Sequence, residues 1–318
     1  MLRYLIRRVL QAVVMVFLVM SLVFLSGRSI GDPARLILGE QAEAQTVQQL
    51  RERLGLEDPL LVQYVRFLGG LVQGDFGDSY RFGLSSGMLD GNLREGTPSM
   101  PLVLERLPAT FYLAGTAMVI ALLVAVPLGI GAAMRPRSAF DRFVNVVSLA
   151  GVSIVEFWLA LMLILFFATY LGLLPTAGYG SISHVVLPAL ALALRPIGRI
   201  TQITRSAMLD ELARPYIVAA RSKGLSQNRV AYVHAMKNAA VPVVTITGDE
   251  AAAIITGVII IEFIFAWPGI GQLTLDALSR RDLPIVQAAV FVMVVMVVLI
   301  NLIVDMLYTA LNPRVSFR

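Results

Sequence analysis

The chain of 318 residues contains no cysteine, two histidines and only two lysines, and just 15% of its residues are charged. Without cysteine it has no disulfide, no thiolate zinc site and no cysteine nucleophile. Neither Lys223 nor Lys237 follows a glycine. The Gly-Lys of a phosphate-cradling loop is therefore missing, and this polypeptide does not hydrolyse ATP through a P-loop. A His-Glu-x-x-His zinc pattern is also missing. No low-complexity stretch or internal repeat stands out.

What fills the chain instead is apolar. It is 57% hydrophobic with a mean hydropathy of +0.77, far from the balance of a soluble domain. Six runs approach the roughly 20 residues that cross hydrocarbon as a helix: 9–26, 109–134, 143–171, 185–204, 241–265 and 284–311. The expected fold is an all-α integral membrane protein with six transmembrane helices. Its net charge of +5 reads as topology rather than nucleic-acid binding. Arg3, Arg7 and Arg8, then Arg135, Arg137 and Arg142, the stretch 205–240, and Arg314 and Arg318 all fall on one side of six spans. The positive-inside rule makes that side, and both termini, cytoplasmic. Arg280 and Arg281 oppose the rule from outside, flanked by Asp276 and Asp282. The basic start followed by an apolar run has the look of a signal peptide. The run exceeds a usual signal core and no convincing small-x-small site follows, so it is expected to stay as the first span.

Three regions follow: a terminal segment with the first span (1–27), an external loop (28–108) and a five-helix core (109–318). From 27 to 107 the chain carries eleven acidic residues and eight arginines, so this region is solvated. Thr46-x-x-Gln49 predicts a capping box, with Val47, Leu50 and Leu54 on one face and Gly55 at the stop. Asp58-Pro59 predicts the start of a second amphipathic helix, with Asp58 as cap and Pro59 in the first turn, running through Tyr64 and Phe67. Gly74, Gly77, Gly83, Gly87, Gly91 and Gly96 mark an irregular tail.

The cytoplasmic stretch 205–240 is the most informative part. Its six basic residues, Arg205, Arg214, Arg221, Lys223, Arg229 and Lys237, outweigh Asp210 and Glu211. Two short helices are expected to meet at Lys223-Gly224, with Gly224 in the left-handed cap and Ser226 capping the next helix. Tyr216, Ala219, Ala220 and Lys223 recur at helical spacing, and the alanines permit close approach to a groove. A headgroup-lying interfacial helix is the plainer reading of the same residues.

Ala219-Ala220 followed by Gly224 resembles the Glu-Ala-Ala-x-x-x-Gly loop of ATP-binding-cassette importer membrane subunits. Val218 stands where that motif has Glu. His234-Ala-Met-Lys237 replaces the usual Ile-x-Leu-Pro, and the nearest proline is Pro242; this departure is similar to the dipeptide, oligopeptide and nickel branch. Further segments resemble that branch in order along the chain: LGLEDPLLVQYVRFLGGLVQGDFGDS (54–79), ERLPATFYLA (105–114), EFWLALMLILFFATYLGLLPTAG (156–178), EFIFAWPGIG (262–271), RDLPIVQAAV (281–290) and NLIVDMLYTALNPR (301–314). The resemblance implies a type I importer permease fold and one half of a translocation pathway for peptides or a related small solute. It also implies a second homologous permease subunit, two cytoplasmic ATPase subunits that hold ATP and Mg, and an extracytoplasmic solute-binding protein. The setting would be the plasma (inner) membrane of a bacterium or archaeon. Contact with the ATPase would fall to Tyr216, Ala219, Ala220, Lys223, Gly224 and Leu225. No catalytic residue, cofactor or metal site is expected on this chain.

Charges inside the spans are the second candidate site. Asp249 and Glu250 lie roughly eight residues into the fifth span, about 12 Å at helical rise. Arg195 and Arg199 are four apart in the fourth. Ionisable groups at such depth face protein or water rather than lipid. These four are expected to pair across helices or to line the solute path, and a purely structural salt bridge is the plainer reading. Glu156, Glu262 and Asp305 are further acids in or near spans. Glu262 precedes an aromatic, proline-broken segment in which Trp267 reads as an interfacial belt residue, with an outer gate as the functional alternative. His184 and His234 fall on opposite membrane faces and share no metal site. Two other classes stay open. A proton-coupled secondary transporter would use Asp249 and Glu250 as relays. An intramembrane protease would use serine or paired aspartates, without any surrounding pattern to support it.

Overall fold

The computed structural model describes residues 2–29, 34–35, 43–53, 55–79 and 97–311. Leu54, the glycines at 83, 87, 91 and 96, and Arg314 and Arg318 lie outside the described residues, as do the side chains of Arg3 and Leu50. The described chain is helical, broken by turns and one isolated β-bridge between Asp78 and Pro98. Its α-helices of eight residues or more are α1 (Leu2–Ser29), α2 (Ala44–Arg53), α3 (Leu60–Gln73), α4 (Ser99–Met134), α5 (Ala139–Ser153), α6 (Glu156–Leu163), α7 (Ile182–Leu212), α8 (Pro215–Ser222), α9 (Met236–Ile264), α10 (Ile270–Ser279) and α11 (Leu283–Leu311). A π-helical stretch, Ile164–Tyr170, continues α6, and another, Val230–Ala235, leads into α9.

Four helical segments, in α1, in α4, from Gln227 through α9, and in α11, are long and apolar enough to cross a membrane; counting the bent pair α5–α6 as one span makes five. The count of six expected from sequence is not reached on length and apolarity alone. The fourth expected span is α7, which has the length, about 46 Å at helical rise, but carries three arginines and two prolines within it. The third expected span is not one straight helix. Its halves meet at 103° between Ser153 and Glu156. No proline or glycine marks this break. Ile154 and Val155, both β-branched, adopt extended backbone there, and Glu156 opens the next helix in its first turn, where a carboxylate suits the helix dipole.

The chain divides into two compact units. One holds residues 1–108 and 269–296. In it, α3 lies against α1 through rings: Phe24 is 5.4 Å from Tyr64 and 5.2 Å from Phe67, and the Tyr64 hydroxyl meets Ser21 Oγ at 2.6 Å. The amphipathic pattern thus gives a helix seated on the first span. Its entry differs from expectation. Pro59, not Asp58, is the cap residue, and the Asp58 carboxylate is taken by Arg66 at 2.6 Å. Helix α2 likewise begins before Thr46, with the Glu43 carbonyl accepting from Val47; Gly55 does end that segment, at φ 62°. Ser79 donates to the buried Asp282 at 2.5 Å, holding residue 79 to the turn before α11.

The second unit holds residues 109–268 and 297–318. Helix α7 is its centre, and its buried face is mostly alanine, glycine, leucine and isoleucine. Pro188 and Pro196 sit within one continuous helix. Small residues set the helix spacing, as is usual in membranes. A Cβ at Gly129 would lie 2.6 Å from Thr204 Cβ on α7, and one at Gly248 would lie 2.2 Å from Val304 on α11.

Candidate functional site

The stretch 205–240 turns at Lys223-Gly224 as a helical hairpin, but only one of the two expected short helices is found, α8; the second arm is the start of the 38-residue helical run Gln227–Ile264. Gly224 takes φ 79°, a value that costs most residues and not glycine. Gly224 N–H donates to Arg221 O and Leu225 N–H to Ala220 O, the reciprocal pair that closes a helix C-terminus. Ser226 occupies the cap position of the following turn, but its side chain makes no capping bond; only its carbonyl engages, accepting from Val230.

Helix α8 is two-faced. Ile217 and Ala220 are buried with Ile130 and Ala133 of α4, Met208 of α7 and Ala235, and Leu225 packs beside them. Tyr216, Val218, Ala219, Lys223 and Gly224 are exposed. The six residues expected to meet the ATPase therefore split. Ala220 and Leu225 anchor the hairpin to its own spans, and the other four face outward. Val218, on the same outward side, was not among them.

Two polar clamps hold the hairpin, and neither was foreseen. Tyr216 donates to Glu211 Oε2 at 2.6 Å and accepts from Asn238 Nδ2 at 3.0 Å, tying α8 to the end of α7 and the start of α9. Partial burial, then the Glu211 carboxylate, pushes the Tyr216 hydroxyl above its ordinary value. The bond is therefore whole at neutral pH and is lost only as pH rises through that raised value. At the hairpin's base, Arg205 forks onto Asp141, with Nε to Oδ1 at 2.5 Å and Nη2 to Oδ2 at 2.9 Å. Asp141 also accepts from Arg137 N–H and Asn145. Tyr216→Phe should weaken the first clamp by about 1 kcal/mol. Amide exchange across residues 215–222 should then quicken several-fold; unchanged exchange would show the hairpin is held by Ile217 and Ala220 alone.

Near the middle of the spans, Glu250 of α9 has a side chain only 1% exposed and accepts from Arg199 Nη1 at 2.8 Å. Arg195 lies between two carboxylates, 3.7 Å from Glu156 Oε1 and 3.9 Å from Glu250 Oε2. Pairing across helices thus occurs, with a change of partner: Glu156 joins the cluster, and Asp249 is exposed beside it with no ion pair among the described residues. Consecutive residues on a helix point about 100° apart, so α7 faces only one of the two acids. Beside the cluster, at the α5–α6 break, is a cavity of about 330 Å³ lined by Ser153, Val155, Glu156, Arg195, Gly257 and Ile260, among others.

At the other end of the second unit, Trp267 is fully buried. Its indole N–H donates to Ala109 O at 2.9 Å, and its ring lies 6.2 Å from Tyr112 and 4.8 Å from Tyr179. This corrects the belt reading: the ring is a packed core group with its polar atom satisfied. Glu262 is also fully buried and accepts from Thr110 at 2.7 Å. Among the described residues no group of three or more His, Asp or Glu could hold a metal ion.

Residues 125–317 match the family of the binding-protein-dependent transport system inner membrane component, and residues 1–114 match the N-terminal region of such membrane components. The oligopeptide transport system permease protein AppB of Bacillus subtilis (strain 168) is 37% identical over 325 residues, covering 99% of each chain. The glutathione transport system permease protein GsiC of Escherichia coli (strain K12) is 36% identical over 319 residues, covering all of both chains. Among solved structures, the inward-facing MetNI methionine ABC transporter matches with a TM-score of 0.55 at 16% identity, covering 67% of this chain and 97% of that one. An amino acid ABC transporter with histidines matches with a TM-score of 0.51 at 17% identity, covering 66% and 94%. These likenesses give the all-α, type I importer permease fold and set aside the proton-coupled alternative. Hydrolysis of ATP belongs to separate subunits, and the protein is a multi-pass inner-membrane component of a complex. The chain belongs to the binding-protein-dependent transport system inner membrane component family and is a permease subunit of an ATP-driven importer.

Proposed function

We propose that the chain forms one half of a translocation pathway for peptides or a related small solute. A second, homologous permease forms the other half, two ATPases sit below, and a solute-binding protein docks on the external region 28–108. ATP and Mg bind to the ATPases and not to this chain, and both termini are cytoplasmic, in a bacterial or archaeal membrane. The observation that carries this reading is the exposed side of the charge cluster. Arg195 and Arg199 have side chains 36% and 44% exposed, and Asp249 is exposed beside them, all near mid-helix. Such a surface is not stable against lipid tails, so this face of α7 and α9 turns to a water-filled path or to a second subunit. The relatives named for oligopeptide and glutathione transport support the solute class.

Coupling is assigned to the outward side of α8, namely Tyr216, Val218, Ala219, Lys223 and Gly224. Anchored by two clamps and the Ile217–Ala220 face, this helix moves with α4, α7 and α9 as one body. A closing ATPase pair that pushed on it would rock the spans. The test is ATP hydrolysis by the whole assembly in lipid nanodiscs, with and without the binding protein. A Cβ at Gly224 meets nothing within 4 Å, so substitution there acts through backbone strain rather than collision. Gly224→Val should abolish binding-protein stimulation with the subunits still assembled. Gly224→Asn, which tolerates positive φ, should keep most of it. Equal stimulation in both variants and in the native complex would place coupling elsewhere.

A further inference from the structure

Arg195 is unusual among the charges of this protein. Its guanidinium offers five N–H donors. Its two nearest carboxylates, at 3.7 and 3.9 Å, are both beyond hydrogen-bond reach. One of them, Glu250 Oε2, is buried and accepts no hydrogen bond among the described residues. A structural arginine–carboxylate pair closes to hydrogen-bond distance, often as a bidentate fork, as Arg205 and Asp141 do in this same chain. Arg195 is thus held near two acids and satisfied by neither.

The cavity at the α5–α6 break gives this arrangement a use. Its volume of about 330 Å³ falls within the range of small-molecule sites, roughly 300–1,000 Å³. Its charged groups are Glu156 and Arg195, one of each sign, and the exposed Val155, Phe157 and Ile260 supply apolar rim. Gly257 clears the space behind the acid: a Cβ there would lie 2.5 Å from Glu156 Oε2. The 103° bend that ends α5 at Ser153 puts Glu156 at the cavity wall instead of continuing a straight span past it.

We propose that this cavity is a solute-binding site of the permease itself, selective for zwitterions such as short peptides with free ends. Glu156 receives the ammonium group, and Arg195 turns its unused donors to the carboxylate. The proposal rests on the importer reading above and adds a recognition step within the membrane, separate from the external binding protein.

The test uses the permease–ATPase assembly in nanodiscs without binding protein, and equilibrium binding of Ala-Ala, N-acetyl-Ala-Ala and Ala-Ala amide. The native assembly should bind Ala-Ala, and each capped form should bind about tenfold more weakly or worse, equivalent to about 1.4 kcal/mol. Glu156→Gln should weaken Ala-Ala and erase the penalty for acetylation while keeping the penalty for amidation; Arg195→Gln should do the reverse. The capped series on native protein needs no variant to fold. Absence of Ala-Ala binding at millimolar concentration, equal binding of capped and free forms, or discrimination unchanged in both variants would overturn the proposal. Uptake by the complete system with its binding protein separates the two readings. ATP-dependent uptake without end-group preference in the permease sinks only this site, whereas no ATP-dependent uptake of any solute sinks the importer function beneath it.

Discussion

Glu250→Gln should lower the stability of the folded permease by about 3 kcal/mol, whereas Asp249→Asn should leave it nearly unchanged. Among the described residues, Glu250 is the single carboxylate within ion-pair distance of both Arg199 and Arg195, and its side chain is almost wholly buried. Glutamine keeps the shape and can still accept from Arg199, but it removes the charge that offsets two guanidinium groups. Taking away one partner of a buried pair costs roughly 3–5 kcal/mol. The low end applies because Arg199 is 44% exposed and partly screened. Asp249 has no ion pair among the described residues and faces out, so its loss is felt in solute movement. The measurement is the midpoint of thermal unfolding of the purified complex for both variants and for Arg199→Gln alone and combined with Glu250→Gln. Paired residues should give a double variant well short of the sum. Additive losses, or a Glu250→Gln midpoint matching that of the native protein, would show that the cluster does not stabilise the fold.

That pairing shows what sequence could and could not reveal. Two arginines on one span and two acids on another implied an ionic contact, because buried charges seek partners. The choice between adjacent acids depends on helix rotation, which spacing within one helix does not report. Glu156 looked like an acid near a span end, since Ile154-Val155 gives no breaker signal and the bend that brings it to Arg195 is a tertiary effect. Gly224 was legible for the opposite reason: a glycine after a basic helix end has one strong local explanation, and the backbone adopts it. Ser226 had the right residue type without the bond. Trp267 was misread because a tryptophan beside Pro-Gly at a span end has the same sequence signature whether its ring meets lipid or is enclosed by Tyr112 and Tyr179. The clamp of Tyr216 with Glu211 and Asn238 joins residues up to 27 positions apart, with no periodicity to announce it.

Gly198→Leu should be the most damaging single change in the core. The crossing of α5 and α7 is built from glycines on both sides. A Cβ at Gly198 would lie 2.4 Å from the carbonyl oxygen of Ser148 and 2.9 Å from Val152 Cγ2, and one at Gly151 would lie 3.0 Å from the carbonyl oxygen of Leu194. The obstacle at 2.4 Å is backbone, so no rotamer change relieves it, and α5 must move away from α7. Overpacking a close-fitted core costs about 1–3 kcal/mol, and leucine adds three more carbons to that first collision. The shift would also disturb both functional regions, because Asp141 at the start of α5 anchors Arg205 at the hairpin's base, and the bend after Ser153 shapes the cavity. Accordingly, Gly198→Leu should lose assembled complex from the membrane, and Gly198→Ala should assemble with a lowered unfolding midpoint. Gly115→Leu is the control, since a Cβ at Gly115 meets nothing within 4 Å and leucine there adds only exposed apolar surface. Quantifying co-purified ATPase for the three variants decides the matter. Native yield from Gly198→Leu would mean that α5 is free to separate from α7, and a crossing that loose would not carry motion from the hairpin to the cavity.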